Sequence, residues 1–380
     1  MSPPVTRSEN QTLVLDALNG VATQGIPIWL INPMEHRMID RIAGVPEGTY
    51  VKNPEPTYLE MLRNASCCMV DQYLWDNPLS MGTHGYETPK ERTATTGAQQ
   101  IVCDGIVIDS PEAVAEHLEK IVFPKLVKEA QSVDIEGRVR WILERERAEQ
   151  ARIGGDMLKT PYGWIGFPGL AYYIYGYENY FMAYALYPDL MERYFALQAD
   201  VWACYNRAAA LAYEQGSLPP YHRLDHDMCD SRGPLVNIKS LEKIWFPHFA
   251  RAIEPLTHGP VKMIWHCDGN VMPMVPGLIE AGIRGFQGFQ YEDGVDYEKI
   301  CAMKTRDSDD LLIVGGVSVT TTLPLGSPAD VVKQLKWLVE KGPKKGLFLG
   351  GSSSIAPGVP WENLKALIDG FAYYRKHGRG

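Results

Sequence analysis

The chain has 380 residues, 45% of them hydrophobic and 22% charged, an ordinary balance for a globular protein with a large core. Its formal net charge of −9 argues against nucleic acid or an anionic membrane surface as the main partner. No run approaches the ~20 apolar residues of a membrane span, residues 1–19 lack the basic-then-apolar order of a secretory signal, and the 7 cysteines are scattered without a CxxC. Reduced thiols and a cytoplasmic location are therefore expected.

Residues 10–24 read as a short surface helix. Ile26-Pro27-Ile28-Trp29-Leu30-Ile31 is the first candidate for a buried strand, with Pro27 tolerable at its start. The loop Asn32-Pro33-Met34-Glu35-His36-Arg37 carries three ionisable groups at that strand's end and suits either a site wall or a helix cap. Residues 58–65 have a helical pattern and residues 69–75 suit the next strand. Residues 80–98, rich in Gly and Thr and without a period, predict a long loop of the kind that becomes a lid. Asp104-Gly105 predicts a hairpin turn, and Ser110-Pro111-Glu112 a capped helix start. A charged, solvated helix follows at about 136–150.

Residues 161–191 are dense in aromatics, most of which suit core packing. Trp164 and Phe167, in a Gly/Pro-rich turn, are instead expected to line an apolar pocket. A long helix is predicted from Pro188 to about residue 215. Residues 219–224 then form a strand ending in Asp225-His226-Asp227-Met228-Cys229-Asp230, and residues 241–253 form a helix.

The chain is organised around Val261-Lys262-Met263-Ile264-Trp265-His266-Cys267-Asp268-Gly269-Asn270. Alternate residues of a strand share a face, so His266 and Asp268 point together and Cys267 points away. Taken alone, this is either a catalytic strand end or a core histidine beside an Asp-Gly turn. A helix at 271–281 is expected next. Further strands are predicted at 285–290 (ending at Tyr291-Glu292), 311–316 and 346–351, with helices at 296–302, 328–340 and 361–374. This alternation is that of parallel β/α units. No GxGxxG follows the first strand and no GxxxxGK[ST] occurs, so nucleotide chemistry is not suggested.

Several landmarks fall in one order: Gly176-Tyr177-Glu178, His226-Asp227 ahead of Gly233-Pro234, His266-Cys267-Asp268-Gly269-Asn270, Gly315-Gly316-Val317, and Ala356-Pro357-Gly358-Val359-Pro360-Trp361-Glu362-Asn363. Together they resemble the uroporphyrinogen decarboxylase superfamily, from about residue 160 to the C-terminus. The resemblance implies an α/β fold, a (β/α)8 TIM barrel with long loops at the C-terminal face of its strands. It would form a single domain over 1–380, with an N-terminal extension at 1–25 and a loop and hairpin insertion at 80–110. Homodimers are common among proteins of this kind.

Two functional branches share that fold. The decarboxylases carry an Arg-Gln-Ala-Gly-Arg motif near the N-terminus that holds substrate carboxylates. Here the region reads Asn32-Pro33-Met34-Glu35-His36-Arg37, too poor in arginine for a substrate rich in carboxylates. The corrinoid-dependent methyltransferases hold zinc with a His-x-Cys strand end and a later Cys. In this chain Asp268 stands at the first thiolate position, the second falls near Ser353, and Cys267 is one residue out of register.

A harder zinc site is expected from His266, Asp268 and either Asp227 or Glu292. The activity that follows is methyl transfer from a small methyl donor, an aromatic methyl ether undergoing O-demethylation, to a corrinoid protein. Asp227, Glu292 and His266 would act at the departing oxygen, and Trp164, Phe167, Tyr291 and His36 would contact the substrate. The alternative is a metal-independent decarboxylase or lyase acting on a small carboxylic acid, with Asp227 and His266 as its acid–base pair.

Overall fold

A computed structural model describes residues 7–30, 32–72 and 101–379. The staves run in chain order. They are an extended segment at 26–30 (β1), Met69–Val70 (β2), Leu158–Lys159 (β3), Tyr221–Asp225 (β4), Lys262–His266 (β5), Gly285–Gln287 (β6), Leu312–Val317 (β7) and Leu347–Gly351 (β8). β2 pairs in parallel with β3, and β4 to β8 form one parallel sheet in sequence order. Backbone contacts complete the circuit. Ile28 bridges Leu349 of β8 in parallel, its carbonyl accepts from Cys68 N at the start of β2, and Tyr162 beyond β3 bridges Arg223 of β4. The chain is a TIM barrel, as the strand–helix alternation predicts.

Staves of such a barrel are covered on both faces, so the clearest of them are nearly continuous apolar runs. Leu312-Ile313-Val314 and Leu347-Phe348-Leu349 are buried throughout. β3 is different, and the sequence does not announce it. Its Lys159 side chain is buried between Glu146 Oε2 at 3.2 Å and Glu149 Oε2 at 3.1 Å, in the layer between stave and helix. A lysine flanked by threonine offers no alternation to read.

Two closures shape the barrel. At β8, a Cβ on Gly350 would lie 2.2 Å from the Trp29 carbonyl oxygen, so only glycine lets β8 approach β1 this closely. At the N-terminal ends of the staves sits the helix Glu9–Leu18, started by a capping box of Ser8 and Gln11. Gln11 Nε2 donates to Met157 O at 3.2 Å, just before β3, and Lys262 Nζ at the start of β5 donates to Leu18 O. This helix therefore covers the end opposite the C-terminal strand tips.

Several predicted boundaries move. The first helix ends at Leu18 rather than at 24, and the helix expected at 271–281 begins at Val275. The helix expected at 241–253 is two, Ile238–Ile244 and Phe246–Thr257, meeting at Trp245. Pro247 cannot donate into a continuous ladder, and it sits where prolines are tolerated, in a helix's first turn. The hairpin is present, Val102–Cys103 against Ile106–Val107, with Asp104 and Gly105 both at positive φ (49° and 84°). Ser110 caps the helix Pro111–His117 as expected. The lid-like loop at 80–98, Ile31 and residues 73–75 lie outside the described residues. Among the described residues no helix is long and apolar enough to cross a membrane.

The closure at β8 is testable. Gly350→Ala should destabilise the protein by about 1–3 kcal/mol through overpacking against the Trp29 carbonyl. Gly155→Ala, where nothing lies within 4 Å of the new methyl, is the control. Thermal melting followed by circular dichroism should show a lower midpoint for the first variant only; equal midpoints would refute the close-approach argument.

Candidate active site

β4 and β5 pair with Asp225 opposite His266 and Arg223 opposite Ile264, and His266 pairs in turn with Gln287 of β6. Residues in register on parallel strands face the same way, so Asp225, His266 and Gln287 form one level at the C-terminal end of the barrel. Asp227 and Asp268 lie two residues further along the same two chains. One oxygen each of Asp225 and Asp227 and a ring nitrogen of His266 lie within 4.8 Å of one another. His266 Nε2 is 4.0 Å from Asp225 Oδ1 and 3.9 Å from Asp268 Oδ1. Asp227 Oδ1 accepts from Asp268 N at 2.9 Å, which ties the two strand ends together.

Below this level lies a buried guanidinium. Arg223 Nε donates to Asp71 Oδ2 at 2.8 Å, just past β2, and Nη1 donates to Asp225 Oδ2. The Tyr162 hydroxyl reaches the same Asp225 oxygen at 3.3 Å, and the guanidinium lies over the rings of Tyr162 (4.6 Å) and Trp29 (5.2 Å). Burial opposes the ionisation of Asp225, but His266 and Arg223 outweigh it and hold the carboxyl below its ordinary range. Asp268 goes the other way. Burial, offset in part by His266 and reinforced by Asp227 and Asp225, pushes its carboxyl up. Two carboxylates beside one histidine thus differ in their readiness to hold a proton, an arrangement typical of reactive sites.

The histidine ring is seated by a glycine. Gly288, at φ 83°, follows β6, and a Cβ there would lie 2.5 Å from His266 Nδ1. Cys267 faces away, as strand alternation requires: its sulfur accepts from Met228 N at 3.3 Å, and a hydrogen bond with Cys229 and burial raise its pKa. Ser353 Oγ donates to Asp268 Oδ2 at 3.4 Å, so the two positions at which the resemblance puts thiolates are neighbours here, carrying oxygen ligands. His226 takes no part in the cluster's proton chemistry. Its Nε2 accepts from Leu170 N at 2.9 Å, which places the ring proton on Nδ1, and burial lowers its pKa.

The expected site residues therefore divide. His266 and Asp227 come together, with Asp268 beside them, whereas Glu292 does not join them. The chain turns at Gly288 into the short 3-10 turn Tyr291–Asp293, where Glu292 is exposed and accepts from Ser318 Oγ at 3.4 Å. Its place is taken by Asp225, which the sequence shows at i−2 from Asp227 but whose role depends on Arg223.

Trp164 is not among the described residues that line the groove beside the cluster. It is 2% exposed, its indole N–H donates to Glu146 Oε1 at 2.7 Å, and its ring packs on Tyr213 and His222 behind the staves. Phe167 lies closer, against His226 and Trp265. The Tyr291 hydroxyl is committed to Gly316 O at 2.7 Å. His36 opens the helix His36–Ala43 with its ring against Tyr50 and its Nε2 buried without a partner; burial lowers its pKa. No contact links His36 to the cluster among the described residues.

A groove of about 930 Å³ opens beside the cluster, and Asp227 belongs to both. Its apolar lining includes Tyr172, Tyr177, Phe181, Val236 and Pro273. The aromatic segment thus does supply a wall, from residues further along than Trp164.

The donor set suits a divalent cation. One imidazole nitrogen and two carboxylates are the ligand types of many open zinc sites, and the three gather here with Asp268 Oδ1 buried beside them without a hydrogen-bond partner.

A family model and one solved structure agree with this architecture. The family model for uroporphyrinogen decarboxylase (URO-D) matches residues 163–373. Among solved structures, a methyltransferase from Methanosarcina mazei superposes with a TM-score of 0.53 at 17% identity, covering 96% of this chain and 98% of its own. A B12-independent methionine synthase from Shewanella sp. W3-18-1, in complex with selenomethionine, gives a TM-score of 0.37 at 14% identity over 64% of this chain and 67% of its own. No curated protein sequence matches the chain.

Zinc titration of the purified protein should reveal about one site per chain. His266→Ala should abolish it, and Gly288→Ala, which removes no ligand but displaces the ring, should weaken it by roughly 10–100-fold. Failure of the wild type to bind zinc, or unchanged affinity in His266→Ala, would refute the assignment.

Proposed function

The chain belongs to the uroporphyrinogen decarboxylase (URO-D) family, and from that membership we propose that it is a methyltransferase. It takes a methyl group from an aromatic methyl ether and passes it to a corrinoid carried by a separate protein. The observation that carries this reading is the cluster of His266, Asp225 and Asp227 at the C-terminal end of the barrel. Two carboxylates converging on one imidazole make a donor set that a divalent cation would complete.

The family's other chemistry, decarboxylation of a substrate rich in carboxylates, calls for guanidinium groups to receive them. Among the described residues, the guanidinium beneath the cluster is that of Arg223, already bonded to Asp71 and Asp225.

His266, Asp225 and Asp227 would hold zinc, with Asp268 beside them. Zinc there supplies Lewis acidity toward the ether oxygen. The chain's own groups do the rest. Arg223 and Tyr162 fix Asp225, the Asp268 N–H fixes Asp227, and Gly288 seats the histidine ring. Asp227 joins the cluster to the groove, and Asp268, whose carboxyl burial pushes up, would give the proton to the departing oxygen. In the transfer the carbon–oxygen bond of the ether would break, the methyl carbon passing to a reduced corrinoid acceptor from which the electron pair of the new bond would come. The oxygen leaves with the ring and takes up a proton.

Incubation with a methoxylated phenol and a reduced corrinoid protein should yield the methylated corrinoid and the demethylated phenol in equal amounts. Asp268→Asn should lower kcat by about 10²–10⁴-fold. Release of carbon dioxide from a small acid, with no corrinoid protein present and no methyl transfer, would replace this reading with the decarboxylase one.

A further inference from the structure

We propose that the groove beside Asp227 is the substrate-binding site and that it selects an uncharged aryl methyl ether over one bearing a carboxylate; the substrate class rests on the methyl-transfer reading above. Asp227 places the groove. It is shared between the lining and the cluster, so a molecule lying in the groove presents its edge to Asp225 and His266.

The aromatic lining fixes the shape of the ligand. Tyr172 stacks on Phe181 with centroids 5.8 Å apart and planes 22° apart, and Tyr172 and Tyr177 are 4.8 Å apart. Tyr177 and Phe181 are 5.8 Å apart. The three rings touch one another, so they form a wall on which one more flat ring can pack. The Tyr172 hydroxyl donates to Asp227 O at 2.8 Å and so sets the wall against the acid's own backbone.

Charge fixes the rest. Among the described residues lining the groove, the acids are Asp227 and Asp230 and the cation is Arg232. The Arg232 guanidinium is bonded to Asp230 Oδ2 through Nε at 3.1 Å and Nη2 at 2.6 Å. Beneath lie Asp225 and Asp268, with the guanidinium of Arg223 spent on Asp71 and Asp225. The two charges of a zinc ion held at the cluster would be met by Asp225 and Asp227, so an incoming carboxylate meets like charge and no unpaired cation among the described lining residues, whereas a phenol, with a pKa of about 10, enters neutral at pH 7.

The test is equilibrium binding at pH 7 to the full chain, without a corrinoid protein, of 2-methoxyphenol and 3-methoxybenzoate. The methoxyphenol should bind at least about tenfold tighter than the benzoate. Tyr177→Ala should weaken it by roughly 3–10-fold. Asp230→Asn, which frees Arg232, should narrow the gap for the benzoate. Undetectable binding of the methoxyphenol, equal or tighter binding of the benzoate, or an unchanged affinity in Tyr177→Ala would each overturn the proposal. Binding in the expected order without methyl transfer to any corrinoid protein would defeat the activity and leave the selectivity standing. Methyl transfer with the reverse order would do the opposite.

Discussion

Everything at the open end of this barrel depends on one buried guanidinium. Arg223 points into the interior, and its partners come from successive staves: Trp29 from β1, Asp71 after β2, Tyr162 after β3 and Asp225 on β4 itself. The Arg223 and Asp71 side chains are each 2% exposed. A buried charge pair of this kind is weak evidence of net stability, because desolvation offsets its attraction, but removing one partner typically costs about 3–5 kcal/mol. Its contribution is therefore uniqueness of arrangement. The first half of the barrel, where β1 and β3 have little regular pairing of their own, is held in register by the same group that keeps Asp225 ionised.

That coupling joins fold to chemistry. The ligand atoms need not be positioned by loops, because Asp225 and His266 sit opposite each other on hydrogen-bonded strands and Asp227 is held by the backbone of Asp268. Glycine makes the room. Gly288 admits the imidazole, and Gly269, at φ 85°, passes so close to the Asp230 carbonyl that a Cβ would sit 2.6 Å from it. The two strand ends thus approach each other without side chains between them.

The sequence is legible where one residue's environment is set by its neighbours in the chain. β5, β7 and β8 are apolar runs followed by turn residues, and the opposite facing of His266 and Cys267 follows from alternation alone. It is illegible where a distant partner decides. β3 buries a lysine whose carboxylates come from a helix, and Asp225 owes its place to an arginine that also pairs with Asp71. Trp164 stands in a turn that reads as a pocket wall, yet Glu146 draws its indole into the layer behind the staves. Glu292 follows a strand end as the other acids do, but Gly288 has already bent the chain away.

The wall of the groove and the floor of the site have different origins in the chain. Tyr172, Tyr177 and Phe181 stand on short helices between β3 and the long helix Pro188–Gly216, whereas His266, Asp225 and Asp227 belong to β4, β5 and the turn after β4. Asp227 and the Tyr172 hydroxyl are the seam between them. Wall and floor can therefore be altered separately: a substitution at Tyr177 or Phe181 reshapes the groove without replacing a residue of the cluster.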